Sequence, residues 1–299
     1  MNARGAVMVI GNFDGVHSGH RAVIAAAHAH AHADGPARQL RLVAFTFDPH
    51  PALVLTGRAV PQLCSLKRRI ELLEQAGADE VVVTSFSTVF AQTSPEGFAQ
   101  TLADRGASFV YVGENFRFGK ARAGNVALLS KLGSELGFEV RATRLFGASD
   151  APVSSSQIRA ALNDSDVARA ALMLGRPHRI RGVVAHGDAK GRELGFPTAN
   201  IAEYTEMLPA HGVYAARATV AGRTWDAVLN IGVRPTVGGR ELRVEAHLLD
   251  ASLDLYGQEM ALDLLKHLRA EQRFDSLDEL KGQIARDVEQ ARAMTRSGT

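Results

Sequence analysis

At 299 residues the chain nears the size at which one hydrophobic core stops growing, so two domains are expected. A formal net charge of +2, with basic residues scattered and no run longer than "LKRRI", argues against nucleic-acid or membrane-surface partners. One cysteine, Cys64, excludes an intrachain disulfide and fits a reducing, cytoplasmic setting. The first apolar stretch stops at Asn12, too short for a secretory leader, and no apolar run approaches a membrane span.

The first half alternates between two patterns. "AVMVIG" is short, apolar and β-branched, and reads as a buried strand. A glycine turn follows, then "GHRAVIAAAHAHAHA", helical by its alanine content. "LRLVAFTFD" is the second strand. "SLKRRIELLEQAG" is a helix, with Ser65 as N-cap and Gly77 at its C-terminal end. "DEVVVTSF" is a strand, and "SPEGFAQTLADRG" a helix with Pro95 in its first turn. "SFVYVGENF", "NVALLSKLGSELG" and "FEVRATRLF" continue as strand, helix, strand. This α/β alternation predicts a parallel, Rossmann-like sheet covered on both faces.

Near "LGRPHRIRG" the pattern changes. "HRIRGVVAHG", "GVYAARATVAG", "TWDAVLNIG", "LRVEAHLLD" and "EMALDLLKHLR" are short alternating stretches punctuated by glycine and proline. They predict an antiparallel β-barrel or sandwich. "SLDELKGQIARDVEQARAM" closes the chain as a helix. Ser276 and Glu279 form a capping box, and Leu277, Leu280, Ile284 and Val288 make one apolar stripe. The domains are expected over residues 1–177 and 178–299. Trp225 and the phenylalanines are expected in the core.

"GNFDGVHSGH", residues 11 to 20, stands where the first strand gives way to the first helix. Backbone N–H groups at a helix start favour an anion. Gly11, Phe13, Asp14 and Gly15 form the turn, and His17 and His20 would lie on one side of the first helical turn. Imidazoles there can donate to phosphate oxygens. Alone, the pattern leaves a solvated helix start equally open. Likewise "SSSQIR", residues 154 to 159, is either a serine-capped helix start or an anion site with Ser155, Ser156 and Arg159.

Gly187, Gly191 and Gly195 punctuate "HGDAKGRELGFPTANI" and would let backbone approach phosphates. Thr198 and Asn200 offer hard oxygen ligands suited to Mg²⁺. Glu245 lies in an alternating strand, where a solvent-facing carboxylate is the ordinary reading. "GENFRFGKA" fails the P-loop pattern because Ala121 replaces its Ser or Thr. "HAHAHA" places His28 and His32 four apart without a third ligand, so an exposed helix is expected.

Taken together, "GNFDGVHSGH" and "SSSQIR" resemble the two signatures of the HxGH nucleotidyltransferases. "FTFDPHP", "VGENFRFGKARAGN" and "VSSSQIR" are similar to the FMN adenylyltransferase domain of bacterial bifunctional riboflavin kinase/FAD synthetases. "GFPTAN", "NIGVRPT" and "EAHLLDASLDLYG" resemble the riboflavin kinase domain of the same family. The resemblance spans nearly the whole chain, with small departures at His178 and Ala185. It implies that His17 and His20 bind the ATP phosphates, and that Asn115 helps form a nucleotide–flavin site. It implies that Ser155, Ser156 and Arg159 close over the triphosphate. In the second half it implies that Glu245 is the base and that riboflavin, ATP and Mg²⁺ meet there. Small-molecule substrates are expected, with no nucleic-acid or membrane partner. A different HxGH enzyme leaves the second half without a purpose. A catalytically silent flavin- or nucleotide-binding regulator leaves His17, His20, Arg159, Thr198, Asn200 and Glu245 without one.

Overall fold

The computed structural model describes residues 5–33, 40–143, 152–186, 191, 195–236, 239–251 and 253–296. It divides into two compact units: Met1–Pro61 with Ser65–Ser155, and Gln62–Cys64 with Ser156–Thr299.

In the first unit β1 (Ala6–Ile10), β2 (Arg41–Asp48), β3 (Glu80–Ser85), β4 (Ala107–Gly113) and β5 (Glu139–Thr143) pair in parallel, in the order β3-β2-β1-β4-β5. All five residues of β1 are buried. That is why its sequence is a continuous apolar run rather than an alternation. Met8 and Ile10 face one core, with Phe98 of α4 (Pro95–Asp104) and Leu129 of α5 (Val126–Leu136). Val7 and Val9 face the other, with Ile24 of α1 (Ser18–Ala31) and Leu73 of α3 (Leu66–Gln75). Ser65 caps α3 by accepting from the Arg68 N–H at 3.4 Å. One helix, α2 (Pro51–Thr56), is additional to the expected elements. Six residues are too few to carry a helical period.

In the second unit β6 (His178–Ala185), β7 (Ala199–Ala202), β8 (Gly212–Val220), β9 (Arg223–Thr236), β10 (Gly239–Leu248) and β11 (Glu259–Arg269) close a barrel. Its order is β10-β7-β6-β11-β8-β9, with every pair antiparallel. Closure removes the exposed sheet edges. The final helix, α8 (Leu277–Arg296), packs on β8 and β9, with Val288 and Ala291 against Val213, Ala215 and Val228. The Glu279 N–H donates to Ser276 Oγ at 3.2 Å, as the capping box requires. Leu277 is the exception in the expected stripe: it lies in the first turn and is 65% exposed. Trp225 is half-buried rather than in the core.

Beyond Ser155, the residues of α6 (Ser155–Asn163) belong to this unit, as does α7 (Val167–Leu174). The Ala210 N–H donates to the Leu162 carbonyl at 2.9 Å, and α7 packs on β6 and β11. Ile158, Leu162, Val167 and Leu174 are buried. Burying side chains of this size stabilises by roughly 1.5–3 kcal/mol each. A fragment of residues 156–299 should therefore unfold at a higher urea concentration than one of residues 178–299. Equal midpoints would show that the two helices add nothing to the barrel.

Candidate functional site

The first site is built where β1 ends. The Gly11 N–H donates to the Phe45 carbonyl at 3.1 Å, after which the chain leaves the sheet. Phe13, Gly15 and Val16 have φ of 49°, 81° and 38°. A left-handed conformation at a β-branched residue is a strained one, and it persists only where its surroundings over-determine it. Here Phe13 and Val16 are both buried, and the Val16 N–H donates to the Phe13 carbonyl at 3.0 Å.

His17 is the N-cap of α1, and its Nδ1 accepts from the His20 N–H at 3.3 Å. In a neutral ring an accepting Nδ1 leaves the proton on Nε2. The His17 and His20 rings stack with centroids 3.6 Å apart, and Phe13 meets His20 edge-on at 5.1 Å. The Asp14 carbonyl accepts from Ser155 Oγ at 2.9 Å. This bond joins the serine-rich stretch to the glycine turn across 141 residues of sequence. Ser156 is exposed, and Arg159 lies one turn further along α6.

Beside the turn is a chamber of about 360 Å³. Phe47, Phe86, Phe90, Phe98, Phe116 and Phe118 line it, together with Gly11, Asn12 and Asn115. Phenylalanines expected only in the core thus also wall a cavity. The chamber lies at the carboxyl ends of the strands, where the order reverses between β1 and β4, the usual ligand position in an open parallel sheet.

A second pocket, of about 490 Å³, opens in the barrel unit. In the strand register Glu245 lies opposite Asn200 on one side and Asn230 on the other. All three line the pocket, with Thr198 and Gly191. Glu245 is thus half-buried on the wall of a pocket. Arg243 Nη1 lies 3.8 Å from its Oε1. His247, two residues on, donates from Nδ1 to the Pro197 carbonyl at 2.7 Å and so ties "FPTAN" to β10. A Cβ on Gly191 would lie 2.5 Å from the Phe196 carbonyl oxygen, so the close approach there needs glycine. Gly195 has a φ of +88°, and Gly187 lies outside the described residues.

The far end of this pocket is apolar, with Val213, Val228, Phe274, Leu280 and Ile284. Beside them on the pocket lining Arg269 donates from Nε and Nη2 to the buried Asp287 carboxylate, at 3.0 and 2.8 Å. Glu271 also lines the pocket, and its carboxylate occupies the space a Cβ on Gly232 would need. The hydroxyl oxygen of Thr198 and the amide oxygen of Asn200 are the hard donors that suit Mg²⁺. Among the described residues no group of three His, Cys, Asp or Glu could hold a metal ion. His28 and His32 stack on each other, and His30 pairs its Nδ1 with the Tyr111 hydroxyl at 2.9 Å, so these histidines are packed rather than fully exposed.

A family model described as FAD synthetase matches residues 1–157, and one described as riboflavin kinase matches residues 174–295. The bifunctional riboflavin kinase/FMN adenylyltransferase of Escherichia coli (strain K12) is 41% identical over 292 residues, covering 96% of this chain and 92% of that protein. The chain belongs to the bifunctional riboflavin kinase/FMN adenylyltransferase family. The family member of Bacillus subtilis (strain 168) is 35% identical, covering 96% of this chain and 91% of that one. A solved structure from Streptococcus pneumoniae, described as a macrolide-efflux protein, shares the architecture. Its TM-score is 0.88 and its identity 29%, covering 98% of this chain and 95% of that one. Among the described residues of this family member, no helix is long and apolar enough to cross a membrane.

Asn230, Arg243, His247, Arg269, Glu271 and Asp287 are pocket residues not singled out from sequence. Period-two alternation around Glu245 was the available signal for Arg243 and His247. The Arg269–Asp287 pair joins the end of β11 to α8 beside the apolar end of the pocket. Its side chains are 15% and 3% exposed. Arg269→Ala strands a buried carboxylate and should lower the stability of the second unit by roughly 3–5 kcal/mol. Urea unfolding measures the loss, and replacing Asp287 by Leu in the same variant should recover part of it. A neutral Arg269→Ala would mean that Gln283, which also donates to Asp287 at 2.8 Å, suffices alone.

Proposed function

We propose that the chain performs two transfers from ATP: phosphorylation of riboflavin to FMN, then adenylylation of FMN to FAD with release of pyrophosphate. One observation carries this reading. Each pocket lies in the segment matched by one of the two family models and is lined by that segment's own signature residues. We place the boundary between the two catalytic domains at residues 177 and 178. The single-cysteine composition fits a cytoplasmic enzyme of small-molecule substrates.

In the kinase step the isoalloxazine ring occupies the apolar end of the barrel pocket, and the ribityl chain points toward Glu245. Glu245 takes the proton of the terminal ribityl hydroxyl as its oxygen bonds to the γ-phosphorus. The bond from γ-phosphorus to the bridging oxygen breaks, and ADP leaves. Asn200 and Asn230 flank Glu245 in the strand register. Thr198 and Asn200 would hold Mg²⁺, which supplies neutralisation of phosphate charge when bound. Gly191 and Gly195 let backbone approach the phosphates.

In the adenylyl step an oxygen of the FMN phosphate bonds to the α-phosphorus of ATP, and the bond to the pyrophosphate breaks. The His17 Nε2–H, His20 and the start of α1 stabilise the charge that moves onto the phosphate oxygens. Gly11, Phe13, Asp14 and Gly15 shape the turn that holds them. Ser155, Ser156 and Arg159 bind the triphosphate. The phenylalanine chamber takes the flavin ring, with Asn115 on its wall.

Incubating the intact chain with riboflavin, ATP and Mg²⁺ and separating the flavins tests the whole reading. FMN and FAD are expected, and finding neither refutes it. His20→Ala should slow FAD formation by on the order of 10²–10³ and leave FMN formation unchanged. Glu245→Gln should slow FMN formation by roughly 10²–10⁴ while supplied FMN is still converted to FAD. Parent rates in either variant would remove that residue from its site.

A further inference from the structure

We propose that Arg117 and Arg122 make the phenylalanine chamber selective for a phosphorylated flavin over the unphosphorylated one. The inference rests on the adenylyltransferase reading and adds to it the residues that discriminate. Riboflavin and FMN carry the same ring, so aromatic walls alone cannot tell them apart. They differ by a phosphate, and only charge can read that difference strongly.

Among the described residues that line the chamber there is no Asp or Glu, but there are two arginines, Arg117 and Arg122. Among the described residues neither forms an ion pair. Arg117 donates from Nη1 to the Phe116 carbonyl at 3.1 Å, which occupies one of its five N–H donors. Both are exposed, as groups at a mouth must be to meet an incoming anion. Gly11 and Asn12 belong to the same wall, so the chamber reaches the turn that leads to His17.

The position of Arg122 is also specified. Ala121 and Arg122 are consecutive non-glycine residues in the left-handed region, with φ of 55° and 59°. Two such residues in a row are held only by a framework that over-determines them. The framework is present. The Lys120 N–H donates to the Thr93 carbonyl at 2.7 Å, and the Arg122 N–H to the Gly119 carbonyl at 3.0 Å. Phe118 and Gly124 exchange backbone hydrogen bonds at 3.2 and 2.9 Å across the base of the turn.

ATP is the other anion in this unit, so the test separates the two. In the intact chain, Arg117→Ala/Arg122→Ala should raise the KM for FMN in FAD formation roughly 10- to 100-fold, the loss expected for one or two charge-assisted hydrogen bonds. The KM for ATP in that step, kcat at saturating FMN, and riboflavin phosphorylation should stay within twofold. The constant for inhibition of FAD formation by riboflavin should not change. Arg122→Lys should recover part of the loss. An FMN KM within twofold of the parent, an equal rise for ATP or for riboflavin, or a fall in kcat alone would overturn the proposal. A parent protein that makes no FAD would overturn the adenylyltransferase reading itself, which is a different result.

Discussion

Where a buried strand stops and a helix starts, backbone N–H groups must find partners, and the first site follows from that constraint. β1 is buried on both faces, so its chain leaves the sheet among apolar neighbours and the N–H groups that follow it need partners at the turn. His17 answers the need by accepting the His20 N–H on Nδ1. In a neutral ring the same bond leaves the proton on Nε2, so one contact both caps the helix and sets the donor proposed for phosphate. A serine or aspartate would cap as well, but neither would leave an N–H to offer. The Asp14 carbonyl, on the same turn, is taken by Ser155, which locks the two signatures together.

In the barrel the governing constraint is register. Glu245 faces the pocket because β10 pairs with β7 and β9 so that Asn200, Glu245 and Asn230 fall in one row. A slip of one residue would turn Arg243, Glu245 and His247 to the other face together. His247 opposes such a slip, since its bond to the Pro197 carbonyl is possible only when its ring and the "FPTAN" segment share a face. Gly232 adds a steric condition: any side chain there would displace Glu271 from the pocket.

Most of this architecture was legible in the sequence, and the reasons are specific. The strands of the first unit announced themselves because they are short segments set between helical ones with start signals such as Ser65 and Pro95. Barrel strands such as "HRIRGVVA" alternate visibly, and the residues of β6 do alternate buried and half-buried. What stayed hidden depends on contacts distant in sequence. No local pattern joins Ser155 to Asp14 or Arg269 to Asp287. The phenylalanines were harder still. Phe98 packs into the core and lines the chamber as well, so its composition and burial are those of a core residue. Only the position of the strand ends, fixed by the order β3-β2-β1-β4-β5, distinguishes a cavity wall from a core.

The proposed assignments also account for why the two pockets differ in chemistry. A ribityl hydroxyl is neutral and a poor nucleophile near neutral pH, so its attack calls for a carboxylate within reach of its proton. The barrel pocket supplies one in Glu245. The phosphate of FMN is already ionised and has no proton that must be removed. The first site accordingly presents donors rather than a base: the Nε2–H of His17, the start of α1, and the guanidinium groups on the chamber wall. The histidine and the helix start in the proposed assignment also answer the mutual repulsion of two phosphates that must meet. One chain thus needs two differently equipped pockets, because the product of the first reaction differs from its substrate by the charge that the second must accommodate.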